Sequence, residues 1–201
     1  MDIRAIGFDY GGVIEGEPGS NFNKKASVFL GVDVETFRKS YFKFNTLANT
    51  GKINWDECWT MVLKDLGQEN RIPEFLNAYP AFISRAVNEH MVQLIDKLRA
   101  AGYKVGILSN NTSERAAQIR STGIGSHVDA MIVSAEIGYS KPDPNAFHAF
   151  FEKLGVSPAE AIFVDDSEHA LANAKEVGFQ PILFTDYEVL VATLKNLGIH
   201  Y

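Results

Sequence analysis

Residues 3 to 14 constrain this chain more than any other stretch: Ile3-Arg4-Ala5-Ile6-Gly7-Phe8-Asp9-Tyr10-Gly11-Gly12-Val13-Ile14. An apolar run ends in one acid and then turns on two glycines. A buried strand that delivers a carboxylate to the rim of a sheet has this pattern, because the strand interior excludes charge and its end does not. Two residues beyond Asp9 stands Gly11, which offers no side chain where a second acid would serve proton transfer.

Beyond Ile14 the pattern is that of an α/β protein carrying an insertion. Glu15-Gly16-Glu17-Pro18-Gly19-Ser20 has the composition of a linker. About seventy residues of helical pattern come next, in four pieces split at Gly31, Gly51 and Gly67. The third begins with Asn54 as N-cap and Glu57 three residues on, and carries Trp55, Trp59, Val62, Leu63 and Leu66 at helical spacing. From Asn88 onward, helices and short apolar strands alternate. Val92, Ile95 and Leu98 mark a helix face that Gly102 ends. Strands are predicted at 104–108, 130–133, 161–164 and 181–184. A helix capped near Asn111 is expected after the second strand, and Asp143-Pro144 is a strong helix start. The latter leads into a buried stripe of Phe147, Phe150, Phe151 and Leu154. Ser167 is placed as the cap of a helix ended by Gly178, and Leu190, Leu194 and Leu197 suit a final helix. This alternation implies right-handed crossovers and a largely parallel sheet covered on both faces. The expected division is a core of residues 1–15 and 86–201 with a helical insertion at 16–85.

Bulk properties exclude several classes. Hydrophobic residues are 46% of the 201, which favours a packed core over disorder. No apolar run is long enough to span a membrane, and a strand pattern beginning at Ile3 leaves no room for a signal peptide. The single cysteine, Cys58, cannot form an internal disulfide, so the cytoplasm is the expected compartment. With a net charge of −6 and scattered basic residues, no nucleic-acid footprint is expected. A monomer is the default expectation.

Parallel sheets bind ligands at the carboxyl ends of their strands. Asp9, Ser109 and the pair Asp165-Asp166 each come directly after a predicted strand, and Lys141 precedes a predicted helix in Tyr139-Ser140-Lys141-Pro142-Asp143-Pro144. Singly, each has an ordinary structural role as turn, cap or solvated residue. Together they fit metal-assisted displacement at phosphorus. Asp9, Asp165 and Asp166 form a hard oxygen site suited to Mg2+. Asp9 can also attack phosphorus, giving an aspartyl-phosphate that water then hydrolyses. Lys141 offsets the repulsion between carboxylate and phosphate. Ser109 and the N–H groups opening the next helix hold phosphate oxygens.

These four motifs, in this order and spread across the whole chain, resemble the haloacid dehalogenase-like hydrolase superfamily. Phe8-Asp9-Tyr10-Gly11-Gly12-Val13 resembles the motif with the nucleophilic Asp, and Ile107-Leu108-Ser109-Asn110 the phosphate-binding motif. Lys141 resembles the motif-three lysine, and Phe163-Val164-Asp165-Asp166-Ser167 the magnesium acids. The resemblance implies a three-layer, Rossmann-like α/β core, with the insertion as the helical cap of one subgroup. It also implies Asp9, Asp165, Asp166 and the backbone carbonyl of Gly11 as metal ligands. Ser109, Asn110 and Lys141 would bind the phosphate of a small-molecule monoester, a sugar phosphate among the candidates.

The departure is Gly11, where phosphatases of the family usually carry the acid that protonates the leaving alcohol. A branch similar to bacterial glucose-1-phosphate phosphatases also reads Asp-x-Gly. Glu15, Glu17 or water are the substitutes to consider. Two other functions stay open: a 2-haloacid dehalogenase, which resembles this chain in Asp9-Tyr10-Gly11 but needs no magnesium, and a catalytically weak phosphate- and metal-binding protein. Phe42, Phe44, Trp55 and Trp59 are candidates for a substrate pocket as well as for packing within the insertion, and His169 is a candidate neighbour of the acid pair.

Overall fold

Ala5–Phe8 forms β1, fully buried, at the centre of a five-stranded sheet. The computed structural model describes residues 2–17, 22–83 and 86–201. The other strands are β2 (Lys104–Ser109), β3 (Ala130–Val133), β4 (Ala161–Asp165) and β5 (Gln180–Leu183), in the order β3-β2-β1-β4-β5. All four pairings are parallel, with Phe8 opposite Ile107 on one side and Val164 on the other. Successive strands step outward from β1 to β3, and the chain then crosses back to place β4 on the other side of β1. Strand order therefore reverses between β1 and β4, and the crevice at such a reversal is where an open α/β sheet accepts a ligand.

Side chains alternate across the sheet, so each strand feeds two cores. Ile6 and Phe8 point to one face, where α5 (Glu89–Ala100) packs Met91, Leu94, Ile95 and Leu98, joined by α10 (Tyr187–Asn196). Ala5, Leu108 and Phe163 point to the other, against Phe147, Phe150, Phe151 and Leu154 of α8 (Pro144–Leu154). Helix α8 begins as the sequence indicates, with Asp143 accepting from the Asn145 N–H and Pro144 in the first turn. A Cβ at Gly7 would lie 2.5 Å from the Phe163 ring, and one at Gly106 would lie 2.8 Å from the Phe150 ring. The two glycines admit these rings to the sheet surface.

The insertion comes after β1. It comprises α1 (Phe22–Leu30), α2 (Val34–Asn49), α3 (Trp55–Asp65) and α4 (Ile72–Ala78). Asn54 and Glu57 form the expected reciprocal capping box. The insertion has its own core around Phe37, Trp59, Val62, Leu63 and Phe75. Cys58 is buried there, and burial pushes its thiol up to about 12. No helix among the described residues is long and apolar enough to cross a membrane.

Several elements differ from the expectation. Helix α6 (Ser113–Ser121) is capped by Thr112, whose side chain accepts from the Arg115 N–H, not by Asn111. The Asn111 amide is spent on the Ser109 hydroxyl, at 3.1 Å. A short helix, α7 (Ser134–Ile137), succeeds β3. Beyond β4 the chain turns before entering the four-residue α9 (Ala174–Val177); the Asp165 carboxylate accepts the Ser167 N–H at 2.9 Å, and the Ser167 hydroxyl accepts from the Ala170 N–H at 3.3 Å as a cap would. Gly178 does end that helix in a left-handed conformation. Strand β5 starts one residue earlier than expected, and Leu197 lies past the end of α10, partly exposed. Glu15, read as linker, is buried; Pro18, Gly19, Ser20 and Arg85 lie outside the described residues.

Candidate active site

The strand ends converge as the topology requires. Asp9 stands immediately after β1 and keeps the ladder going through its N–H, which donates to the Val164 carbonyl at 2.8 Å. Asp165 is the last residue of β4, and 1% of it is exposed. Between them lies the Lys141 ammonium, donating to Asp9 Oδ1 at 2.8 Å and to Asp165 Oδ2 at 2.6 Å. Asp9, Asp165 and Asp166 each offer an oxygen within 4.8 Å of the others.

Asp166 approaches so closely because residue 12 is glycine. A Cβ there would fall 2.3 Å from Asp166 Oδ2, and its φ of +78° suits only glycine without strain.

The electrostatics follow from burial. Burial pushes the Asp9 carboxyl up to about 7; Lys141 opposes the shift, and the charges of Asp165 and Asp166 add to it. Burial alone would lower Lys141, but the carboxylates of Asp165 and Asp9 hold it above the usual lysine range. One ammonium set among three carboxylates leaves excess negative charge in a poorly solvated place. That charge, the all-oxygen donor set and the close spacing fit a hard divalent cation such as Mg2+.

Lys141 is held by its backbone. Asn110 Nδ2 donates to the Lys141 carbonyl at 2.8 Å, and Asn110 Oδ1 accepts the Lys141 N–H at 2.9 Å. The Asn110 side chain, expected at the phosphate, thus grips the lysine loop. Ser109 is buried at the end of β2, and its hydroxyl accepts from Asn111.

Asp9, Gly11, Gly12, Asn110, Asn111, Thr112 and Asp166 line one cavity of about 640 Å³ between the core and the insertion. Trp55 and Trp59 also line it, whereas Phe44 packs in the insertion's own core. Phe42 lies outside the cavity against His169, with ring centroids 5.7 Å apart, so this pair bridges insertion and core away from the acids.

Sequence reasoning did not find Arg115. Its guanidinium pairs with the buried Glu15 carboxylate, whose other oxygen accepts from the Tyr10 hydroxyl at 3.4 Å. With both oxygens engaged, Glu15 is not a free acid for a leaving group. Glu17 remains an exposed carboxylate on the cavity wall.

A family model for the haloacid dehalogenase-like hydrolases matches residues 3–178. The chain belongs to this family. Among haloacid dehalogenase-like relatives, a pyrophosphatase from Bacillus velezensis is 31% identical over 91 residues, 45% of this chain and 42% of that protein. An (S)-2-haloacid dehalogenase from Burkholderia cepacia is 27% identical over 128 residues, 63% of this chain and 55% of that protein. The chain thus spans about half the length of these curated relatives. A haloacid dehalogenase-like family enzyme from Bacteroides thetaiotaomicron, solved with magnesium and inorganic phosphate, superposes with a TM-score of 0.67. It is 22% identical, and the match covers 94% of this chain and 98% of that one. At that identity the likeness establishes the fold, including a helical insertion after β1.

Proposed function

We propose that this haloacid dehalogenase-like hydrolase is a magnesium-dependent phosphatase that cleaves a small phosphate monoester through an aspartyl-phosphate on Asp9. The observation that carries this reading is the convergence of Asp9, Asp165 and Asp166, with the Lys141 ammonium bonded to the first two. Magnesium and phosphate bound together in the Bacteroides enzyme support the same reading by analogy.

Asp9, the Gly11 carbonyl, Asp165 and Asp166 would hold the metal, which when bound supplies positive charge against the phosphate oxygens. The remaining chemistry belongs to the chain. An Asp9 carboxylate oxygen forms a bond to phosphorus, and the ester P–O bond breaks. Lys141 fixes Asp9 in line and balances the growing charge. Backbone N–H groups at Asn110 and Thr112, beside Ser109, receive phosphate oxygens ahead of α6, whereas the Asn111 N–H donates to the Ser134 hydroxyl at 3.0 Å. Water and Glu17 are the proton sources left for the leaving oxygen, because Gly11 has no side chain and Glu15 is engaged by Arg115 and Tyr10. Water then attacks the phosphorus of the aspartyl-phosphate and frees inorganic phosphate and Asp9.

In this reading residues 16–85 act as a cap over a core of 1–15 and 86–201, and the Asp-x-Gly motif aligns the chain with the glucose-1-phosphate phosphatase-like branch. The test is hydrolysis of p-nitrophenyl phosphate with Mg2+, abolished by EDTA and by Asp9→Asn. A second reading, 2-haloacid dehalogenation, draws on the match to the Burkholderia dehalogenase. It would be supported by halide release from 2-haloacids without magnesium, which would overturn the phosphatase. Failure to turn over any phosphate ester while still binding phosphate and Mg2+ would leave a binding protein.

A further inference from the structure

The groups assigned to the chemistry all lie on the core side of the cavity. The insertion supplies the facing wall, and that wall is aromatic. Phe22 of α1, Tyr41 of α2, Trp55 and Trp59 of α3, and Tyr79 and Phe82 just beyond α4 all line the cavity. Trp59 is the hub: its ring centroid lies 5.0 Å from Phe22, 5.2 Å from Trp55, 5.4 Å from Tyr41 and 5.7 Å from Tyr79. Trp55 and Tyr41 lie within 21° of parallel to each other and to it. The hub is buried, and its partners are half-buried. A parallel set at these separations has no slot for a further ring, but its half-buried members keep surface on the cavity.

Two further observations bear on what this wall receives. The Trp59 indole N–H is buried without a hydrogen-bond partner among the described residues, so the hub meets the cavity with ring surface and not with its donor. Of the described cations of the cavity, Arg115 pairs with Glu15, and Lys25 gives one hydrogen bond to the neutral Phe82 carbonyl at 3.2 Å. Glu17, Asp56 and Glu114 stand among the lining residues. A second anionic group on a substrate would meet three carboxylates, against the two lining cations Lys25 and Arg115, of which Arg115 is already paired with Glu15.

We infer that the insertion's aromatic wall is a subsite for an uncharged, planar-ring leaving group, so that the substrate is a monoester of a ring-bearing alcohol. This rests on the phosphatase reading. The cavity volume of about 640 Å³ accommodates such a group beyond the phosphate.

The discriminating pair is benzyl phosphate and cyclohexylmethyl phosphate, alike in reach and leaving-group chemistry and different in planarity. The wild-type protein with Mg2+ should favour benzyl phosphate in kcat/KM by roughly threefold to tenfold, mainly through KM. The ratio should fall toward one in Trp55→Leu and, independently, in Tyr41→Leu, each first checked for folding by circular dichroism. Calorimetric titration with benzylphosphonate and cyclohexylmethylphosphonate reads the same preference without turnover. Equal kcat/KM for the two esters overturns the subsite and leaves the phosphatase standing. Inert esters with selective phosphonate binding overturn the phosphatase and leave the subsite. Equal phosphonate affinities overturn the subsite whatever the activity.

Discussion

The side-chain amide of Asn110 brackets the backbone of Lys141, accepting from its N–H at 2.9 Å and donating to its carbonyl at 2.8 Å. The lysine side chain in turn spans the ends of β1 and β4 through Asp9 and Asp165. Position is thereby passed from the end of β2 to the reacting carboxylate. Asn110→Ala removes both contacts and leaves two backbone groups of a buried loop unpaired, at a cost of about 1–3 kcal/mol. We expect kcat on p-nitrophenyl phosphate to fall by about 10–100-fold, since small misplacements of a reacting group are costly. Unchanged kcat in a folded Asn110→Ala protein would show that Lys141 is held by other means.

Gly12→Ala should act on the metal. The added methyl meets the Asp166 carboxylate, and the residue must keep a φ of +78°. Asp166 then has to withdraw from Asp9 and Asp165, while the left-handed backbone adds about 1–2 kcal/mol of strain. The concentration of Mg2+ needed for half-maximal activity should rise by at least about tenfold, by the rule that a factor of ten in affinity is about 1.4 kcal/mol. The same midpoint as wild type would mean that Asp166 is not a metal ligand.

Legibility in the sequence tracks distance along the chain. The capping box of Asn54 and Glu57, the Asp143-Pro144 start and the phenylalanine stripe of α8 depend on neighbours within one or two turns, and all appear as read. The acids were legible because a parallel sheet gathers its strand ends on one rim, whatever lies between. The grip of the Asn110 side chain on Lys141 was not legible, because its partner is 31 residues away. The pairing of Glu15 with Arg115, 100 residues apart, has no local signature at all. The Ser167 cap is local and appears as read, its hydroxyl accepting from the Ala170 N–H at 3.3 Å, but the chain then runs through turns and becomes helical only at Ala174.

The Glu15–Arg115 pair secures the junction of core and insertion. Glu15 bridges Val87 in antiparallel fashion, and the Gly16 N–H donates to the Ala86 carbonyl at 2.9 Å, so the outgoing and returning segments are paired there. Arg115→Met would leave a buried carboxylate uncompensated, which typically costs about 3–5 kcal/mol. Glu15→Gln with Arg115→Met removes both charges and should recover most of that loss in urea denaturation. Amide exchange at Gly16 should be faster in the single variant than in wild type. If the double variant is no more stable than Arg115→Met, the loss is one of packing and not of charge.

Gly11 allows a direct test of leaving-group protonation. A Cβ built there has no heavy atom within 4 Å, and the residue is exposed on the cavity wall. Gly11→Asp therefore adds an acid without a clash. If protonation limits the rate, it should speed cleavage of alkyl phosphates by about 10–100-fold, within the usual range for general acids. The gain on p-nitrophenyl phosphate should be much smaller, because its leaving group needs no proton. Equal effects on both would mean that another step is limiting.

Removing the Asp9 charge should stabilise the metal-free protein, increasingly as pH rises from about 4 to about 7 and evenly above that. Burial raises this carboxyl from an ordinary 3.8 to about 7 in the fold. Between those values the folded state retains a proton that the unfolded chain has released. Stability from this group therefore declines as pH rises across that window and is level above it. Asp9→Asn has no proton to lose and escapes the decline. In EDTA the variant should be more stable than wild type by about 1–3 kcal/mol at pH 8 and nearly equal to it at pH 4, because one pKa unit corresponds to about 1.4 kcal/mol. Thermal melts at the two pH values measure the difference directly. A gain of the same size at pH 4 would trace it to something other than the Asp9 charge, and saturating Mg2+ at pH 8 should shrink it by stabilising wild type in preference to a variant lacking one ligand charge.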